Sequence, residues 1–311
     1  MKSAAVLALL KRETREHRSL VWAPLITAAL IVVSAIFSTT LGGGIRSGIH
    51  IDLDIEGADF FARLATDLDS QSKLFGIWMG SLMLPVLLVG LVVVVFYLLD
   101  SLYAERKDRS ILFWKSMPVS DAATVLSKAV TALIALPLWV WLLSMIAGLV
   151  VFAAVALKVS GTPIAPLGNF HAATWVALQL TLLQNLLIAS LWYAPIAAWL
   201  LLVSAWSKRS PILWAVLPPA LLSLAEQMVF GTGYVARLLG HRLGGFFEAI
   251  GASVNVADDA PTTEVLGSIR SAYDSMTAAP LLADPGLYVG LVAAALLLLA
   301  AIRLRRWRDD T

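Results

Sequence analysis

The sequence predicts an all-α integral membrane protein of six transmembrane helices, with an N-terminal interfacial elbow helix and two sizeable extracytoplasmic loop segments. Three observations predict it. Six apolar stretches meet or approach the ~20 residues that a helix needs to cross a bilayer. Charged residues make up only 14% of the 311 residues, with 59% apolar and a mean hydropathy of +0.82, against ~25% charged in a soluble domain. The basic residues also segregate by segment, which the net charge of +2 conceals.

The chain opens with Lys2–Ser19, read as a helix lying on the membrane surface. Val6, Leu7, Leu9 and Leu10 supply an apolar side, and Lys11, Arg12, Arg15 and Arg18 supply cations for lipid headgroups. Trp22 comes next as an interfacial anchor. Met1–Leu10 carries one Lys and no small-residue cleavage site, so no cleavable signal peptide is expected.

The spans are expected at about 20–40, 74–99, 129–157, 173–204, 211–230 and 285–302. Pro24 lies near the start of the first. Pro85, Pro137 and Pro195 mark kinks in the second, third and fourth, and Pro218-Pro219 bends the fifth. The third and fourth are long for a simple crossing, which implies tilt or extension.

Orientation follows from Lys and Arg. With both termini cytoplasmic, the outer segments hold Arg46, Arg63, Lys73, Lys158, Arg237, Arg242 and Arg270; the remaining sixteen of the 23 basic residues lie on the inner side. The opposite orientation inverts the bias, so both termini are expected inside.

Two outer segments exceed simple turns, 41–73 and 231–284. In the first, Ile49, Ile51, Leu53 and Ile55 alternate with His50, Asp52, Asp54 and Glu56, a strand-like period of two, and Ala58–Leu68 reads as helical. In the second, Val235–Ile250 reads as an interfacial or re-entrant helix interrupted at Gly244-Gly245. Thr262–Met276 reads as an amphipathic helix capped by Thr262 or Thr263. The two segments are expected to pack into a small cap.

Much chemistry is excluded. The chain has no cysteine, no G-x-x-x-x-G-K-[ST], no G-x-S-x-G and no H-E-x-x-H. No catalytic residue and no metal site is expected. His50 with Asp52 and Asp54 is the best metal-like group, and such alternation is better read as a solvated edge. No cofactor bound by this chain and no nucleic-acid partner is indicated. Within the spans, Gln179, Gln184, Asn185 and Glu226 are the polar residues that invite a pathway reading. For the amides, interhelical hydrogen bonding is the preferred alternative. Glu226 either faces a path, pairs with Arg237 or Arg242, or marks a span that ends at Ala225. Trp139, Trp141, Trp192, Trp199, Trp206 and Trp214 fit interface belts and packing.

The segment 100–128 is the most informative. Glu105-Arg106-Lys107-Asp108-Arg109 is followed by Ile111-Leu112-Phe113-Trp114, then by Pro118 and by Ser120 or Asp121 as a helix cap. A docking surface for a soluble partner fits these residues, and so does a loop whose cations only fix orientation. The run YAERKDRSILFWKSMPVSDAATVLSK resembles the cytoplasmic loop of ABC-2 type transporter permeases. The matching positions are Glu105, Arg106, Ser116, Pro118, Val119, Ser120 and Lys128; Asp108-Arg109-Ser110 stands where the family commonly carries a small residue. The resemblance implies a permease subunit of an ATP-driven exporter in the bacterial cytoplasmic (inner) membrane. It would form a path as a dimer with a second permease copy or paralogue, embedded in membrane lipids. A separate ABC ATPase subunit would bind ATP and Mg. Coupling to it is assigned to Glu105, Arg106, Arg109, Phe113, Trp114 and Pro118. A non-transporting membrane scaffold or sensor with an extracytoplasmic face is the alternative.

The cation bias sets a topology test. Single-cysteine labelling at Asp259 and at Asp310 should report opposite sides of the membrane, and labelling of both from one side would overturn the six-span topology.

Overall fold

The computed structural model describes residues 11–40, 67–108, 120–158, 172–250 and 262–307. Among these there is no strand, and six helices are long and apolar enough to cross a membrane. The strand-like run 49–56 and the helix expected at 58–68 lie outside the described residues, apart from the end of that helix. So do Lys2–Leu10, His50 and the 109–119 part of segment 100–128.

Helix α1 occupies residues 11–16 and bends at His17 and Arg18 into α2, Ser19–Thr40. The second span is two helices, α3 (Leu68–Ser81) and α4 (Met83–Asp100), followed by the short α5 (Tyr103–Lys107). Its break falls at Leu82 rather than at Pro85. Pro85 sits in the first turn of α4, where its missing N–H costs no helical hydrogen bond.

Helix α6 (Asp121–Val130) begins where Ser120 accepts the Ala123 N–H at 3.1 Å, the cap expected from sequence. It runs through a π-turn, Thr131–Ala135, into α7 (Leu136–Lys158). The π-turn is the local answer to Pro137. The N–H of Leu136 reaches back five residues to Thr131, just ahead of the proline that cannot donate.

Helix α8 (Ala172–Trp206) is continuous through Pro195, and α9 (Pro211–Phe230) is continuous through Pro218-Pro219. Helix α10 (Tyr234–Ala249) is not interrupted at Gly244-Gly245. Gly245 is instead a close-approach position, where a Cβ would lie 3.0 Å from the Trp192 ring. Helix α11 covers Thr262–Ser275. A 3₁₀ turn (Ala279–Ala283) then leads into α12, Pro285–Trp307, longer than the 285–302 expected.

The core gathers α2, α4, α6–α7, α8 and α12 around Val86, Val125, Leu201, Val203 and Ala301. Small residues set the spacing. Helix α12 packs chiefly on α8, through Ala194, Ala198 and Ala294. A Cβ on Gly90 would come within 2.9 Å of Val140, so α4 and α7 approach as closely as their backbones allow. Tryptophan indoles tie neighbouring helices together by donating to carbonyls: Trp139 to Val21, Trp141 to Gln179, Trp192 to Arg242 and Trp199 to Ala215. Ala215 is the residue whose carbonyl loses its helical donor to Pro219, so Trp199 supplies the bond that the proline removes.

Helix α8 has 35 residues and the α6–α7 run has 37 within its apolar span, or about 50–55 Å each. A bilayer core needs only ~30 Å. The surplus forms a packed unit at the end remote from α5. There α11 docks on α3 through Val265, Leu266 and Ile269 against Leu74 and Ile77. Arg270 pairs with Asp67 and Asp69. Burial opposes ionisation of Asp67, but hydrogen bonds from Ser70 and the Arg270 charge outweigh it and hold the carboxyl below its ordinary range. Asn185 clamps the turn after α11, donating to the Met276 carbonyl at 3.0 Å and accepting from the Ala278 N–H at 2.8 Å.

Helix α10 is pinned by Arg242. Its guanidinium lies 4.4 Å over the Trp192 ring and donates to the carbonyls of Trp192 and Gly286. A Cβ on Gly290 would overlap that guanidinium. Gly290→Val should therefore lower thermal stability in detergent by about 1–3 kcal/mol, and the loss should largely disappear in an Arg242→Ala background. Strict additivity of the two substitutions would show that they do not share this contact.

Candidate functional site: a buried charge cluster joining four helices

At the end of the bundle that holds α1, α5 and the close of α12, charged side chains converge in a place where they cannot all be hydrated. Glu13 and Lys128 are fully buried, and Glu105 and Arg305 are 6% and 5% exposed. Local sequence puts each one there. Glu13 lies on the side of α1 opposite Lys11, Arg15 and Arg18, which are exposed. Asp121 and Lys128 are seven residues apart on one face of α6. Arg305 comes one turn of α12 after the buried Ala301.

The contacts form one chain of opposite charges. Lys128 Nζ donates to both Glu13 oxygens at 3.1 Å and lies 3.2 Å from Glu105 Oε1. Arg12 Nη2 reaches the same Glu105 oxygen at 3.2 Å and its Nε bonds Glu16 at 2.8 Å. Arg305 Nη1 donates to Glu105 Oε2 at 2.7 Å, and its Nε donates to Asp121 Oδ1 at 3.0 Å. Tyr97 Oη donates to Glu13 Oε2 at 2.8 Å, and the His17 ring meets the Tyr97 ring edge-on at 4.9 Å. Burial and the Lys128 charge push the His17 imidazole below its ordinary pKa, despite the opposing Glu13, Asp100 and Glu16 charges.

Three cations, Arg12, Lys128 and Arg305, thus face three buried or half-buried carboxylates, Glu13, Glu105 and Asp121, and a fourth, exposed one, Glu16. Buried charges persist only when they are paired and hydrogen-bonded in this way. Glu105 is the hub, since it binds cations from α1, α6 and α12 while sitting on α5.

Helix α5 is also locked to the end of α8 by reciprocal capping. Ser204 Oγ accepts the N–H groups of Leu102 and Tyr103 at 3.1 and 3.0 Å. Arg106 Nη2 donates to the carbonyls of Ser204 and Ser207 at 2.6 and 2.7 Å. Each helix supplies the partner that the other's terminus lacks.

This geometry revises several expectations. Glu105 and Arg106 do not present their charges outward to a soluble partner, because both are engaged inside the protein. Arg12, expected at lipid headgroups, is engaged by Glu16 and Glu105. Arg109, Phe113, Trp114 and Pro118 lie outside the described residues. The intramembrane polar residues do not converge. Gln179 is buried, Gln184 is exposed, and Asn185 is consumed by the turn it clamps. Among the described residues Glu226 makes no ion pair with Arg237 or Arg242. It receives Thr232 Oγ1 at 2.6 Å and the N–H groups of Tyr234 and Val235 at 2.7 Å, capping α10 across a tight turn. No group of His and acidic residues able to hold a metal ion occurs among the described residues.

Sequence reasoning missed Glu13, Asp121 and Arg305 as members of a site. Glu13 was hidden in the charge block 11–18. A carboxylate on the helical face shared with Leu9 and Leu10, opposite the cations, was the available signal.

Lys128→Met should destabilise the protein by about 3–5 kcal/mol, because it strands Glu13. Glu13→Gln combined with Lys128→Met should recover much of that loss. Unfolding in detergent micelles reads both effects, and a Lys128→Met protein within about 1 kcal/mol of wild type would contradict the assignment.

The chain matches no family model, no curated protein and no solved structure.

Proposed function

We propose that this chain is the permease subunit of an ATP-driven exporter of the ABC-2 type, working as a dimer with a separate ATPase that holds ATP and Mg, in a bacterial cytoplasmic membrane with both termini inside. The sequence of segment 100–128 and the six apolar spans support this reading. The observation that carries it is the placement of Glu105. A soluble motor can drive membrane helices only through an element rigidly joined to several of them. Segment 100–128 leaves the bundle through α5 and returns through α6, and Glu105 binds cations of α1, α6 and α12 at once.

In this mechanism the ATPase meets the 109–119 part of the segment, including Phe113 and Trp114, which suit a groove in a partner. Glu105 and Arg106 act behind that surface. Displacement of α5 drags Arg305 and the end of α12 through a 2.7 Å charge-assisted bond. It drags the end of α8 through Arg106 and Ser204. Coupling residues of two kinds are thus implied, outward ones that bind and inward ones that transmit.

The test is permease-dependent ATP hydrolysis after co-reconstitution with the ATPase. Trp114→Ala should weaken ATPase binding. Glu105→Gln, which keeps size and removes charge, should leave the ATPase bound but cut coupled hydrolysis by about tenfold or more, about 1.4 kcal/mol in barrier height. Normal coupled hydrolysis in Glu105→Gln would reject the transmission role. Failure of any ATPase to co-purify with the wild-type chain would favour the scaffold or sensor reading.

A further inference from the structure

One face of α12 is left without protein cover, and it changes character along its length. Val289, Val292, Leu296 and Leu299 recur at three- and four-residue spacing and are 69%, 63%, 63% and 55% exposed. About ten residues of helix make this stripe about 15 Å long, half of the ~30 Å hydrocarbon core. The same face continues into Arg303 and Trp307. A groove lined by Leu296, Leu299, Ala300, Arg303, Leu304 and Trp307 runs along it.

The arginines at the end of α12 divide by face. Arg305 points into the bundle and is paired with Glu105 and Asp121. Arg303 is half a turn of the helical wheel away, with Arg306 beside it; both are exposed, and among the described residues neither forms an ion pair. Arg306 lies 5.9 Å from the Trp307 ring, which is 78% exposed. A pair of guanidiniums without an acidic partner among the described residues, at the foot of a one-leaflet apolar stripe and flanked by an indole, has the charge and length of a lipid's complement.

We propose that this α12 face is a binding site for an anionic phospholipid, with the phosphate held by Arg303 and Arg306 and an acyl chain laid along Leu299, Leu296 and Val292. A guanidinium offers two parallel donors to phosphate oxygens. Trp307 suits the headgroup level, where its ring is apolar and its N–H is wet. A zwitterionic lipid fits less well, because its ammonium would approach two cations that no carboxylate among the described residues offsets. The site abuts the charge cluster through Arg305, so an occupied face would hold the end of α12 at the membrane surface.

The purified full-length chain, equilibrated with mixed phosphatidylglycerol and phosphatidylcholine, would be assayed by native mass spectrometry for the lipids it retains. Wild type should retain phosphatidylglycerol in preference by about tenfold or more, two cations each contributing about 1 kcal/mol. Arg303→Gln combined with Arg306→Gln should reduce the preference to near parity. Lys208→Gln combined with Arg209→Gln, exposed cations of the turn between α8 and α9, should keep it. An unchanged preference in the Arg303/Arg306 variant would overturn the proposal. So would ready disulfide formation between copies of Leu299→Cys in membranes, because the occupant would then be a second copy of the chain. The native chain has no cysteine to confuse that readout.

Discussion

The pairing of Glu105 with Arg12, Lys128 and Arg305 is the interaction on which the α5 end of this structure depends. A carboxylate at 6% exposure beside apolar spans costs several kcal/mol in desolvation unless cations approach it closely. Here they do so from three helices. A hydrophobic core would hold those helices as well or better in free energy. It would not fix their relative positions so narrowly, because leucine and valine contacts slide where charge-assisted bonds do not. Lys128 and Glu13 extend the same logic inward to α1, and Tyr97 adds a further donor to Glu13 at Oε2, which it shares with Lys128. Helix α1, residues 11–16, is thereby tied into the bundle.

Elsewhere, most polar groups are satisfied helix by helix, as a low-dielectric setting demands, with the buried Trp175 indole N–H and Ser207 hydroxyl as exceptions among the described residues. Prolines open gaps in the ladders, and the gaps are filled locally. A π-turn precedes Pro137, and the Trp199 indole reaches the carbonyl freed by Pro219. Helix α9 is sparsely packed, since Ala215 is its only buried residue. It is held through its ends and its tryptophans instead, with Trp206 and Trp214 in edge contact and Glu226 capping α10. The far unit of α3, α11 and the long ends of α7 and α8 is built differently, with an apolar seam bordered by exposed ion pairs.

The span pattern was legible because apolar runs of ~20 residues have few other readings. The Ser120 cap was legible because capping chemistry is local. Helix breaks were less so, as Pro85 shows: a proline marks where a helix can begin as readily as where it bends. The charge cluster was hardest, because Glu13, Glu105, Lys128 and Arg305 are scattered along the chain and each sits beside residues of ordinary topogenic type. Glu105 was found by its segment, but its direction was not, since nothing in a linear charge run says which side faces inward. Helical phase carried part of that information. Arg305 lies opposite Arg303 on the wheel, and Glu13 lies opposite Lys11 and Arg15.

The central claim is that α1, α5 and the end of α12 move as one body when the inner loop is pushed. The cysteine-free chain permits spin labels at Arg15, Lys107 and Arg306, all exposed, with a fourth at Ser271 on α11. Under the proposed permease role, pulsed electron resonance distances in the protein reconstituted with its proposed ATPase, with and without ATP, test the claim most directly. The account predicts unchanged distances among the first three labels and a change from each of them to Ser271. A change between Lys107 and Arg306 on ATP binding would contradict it.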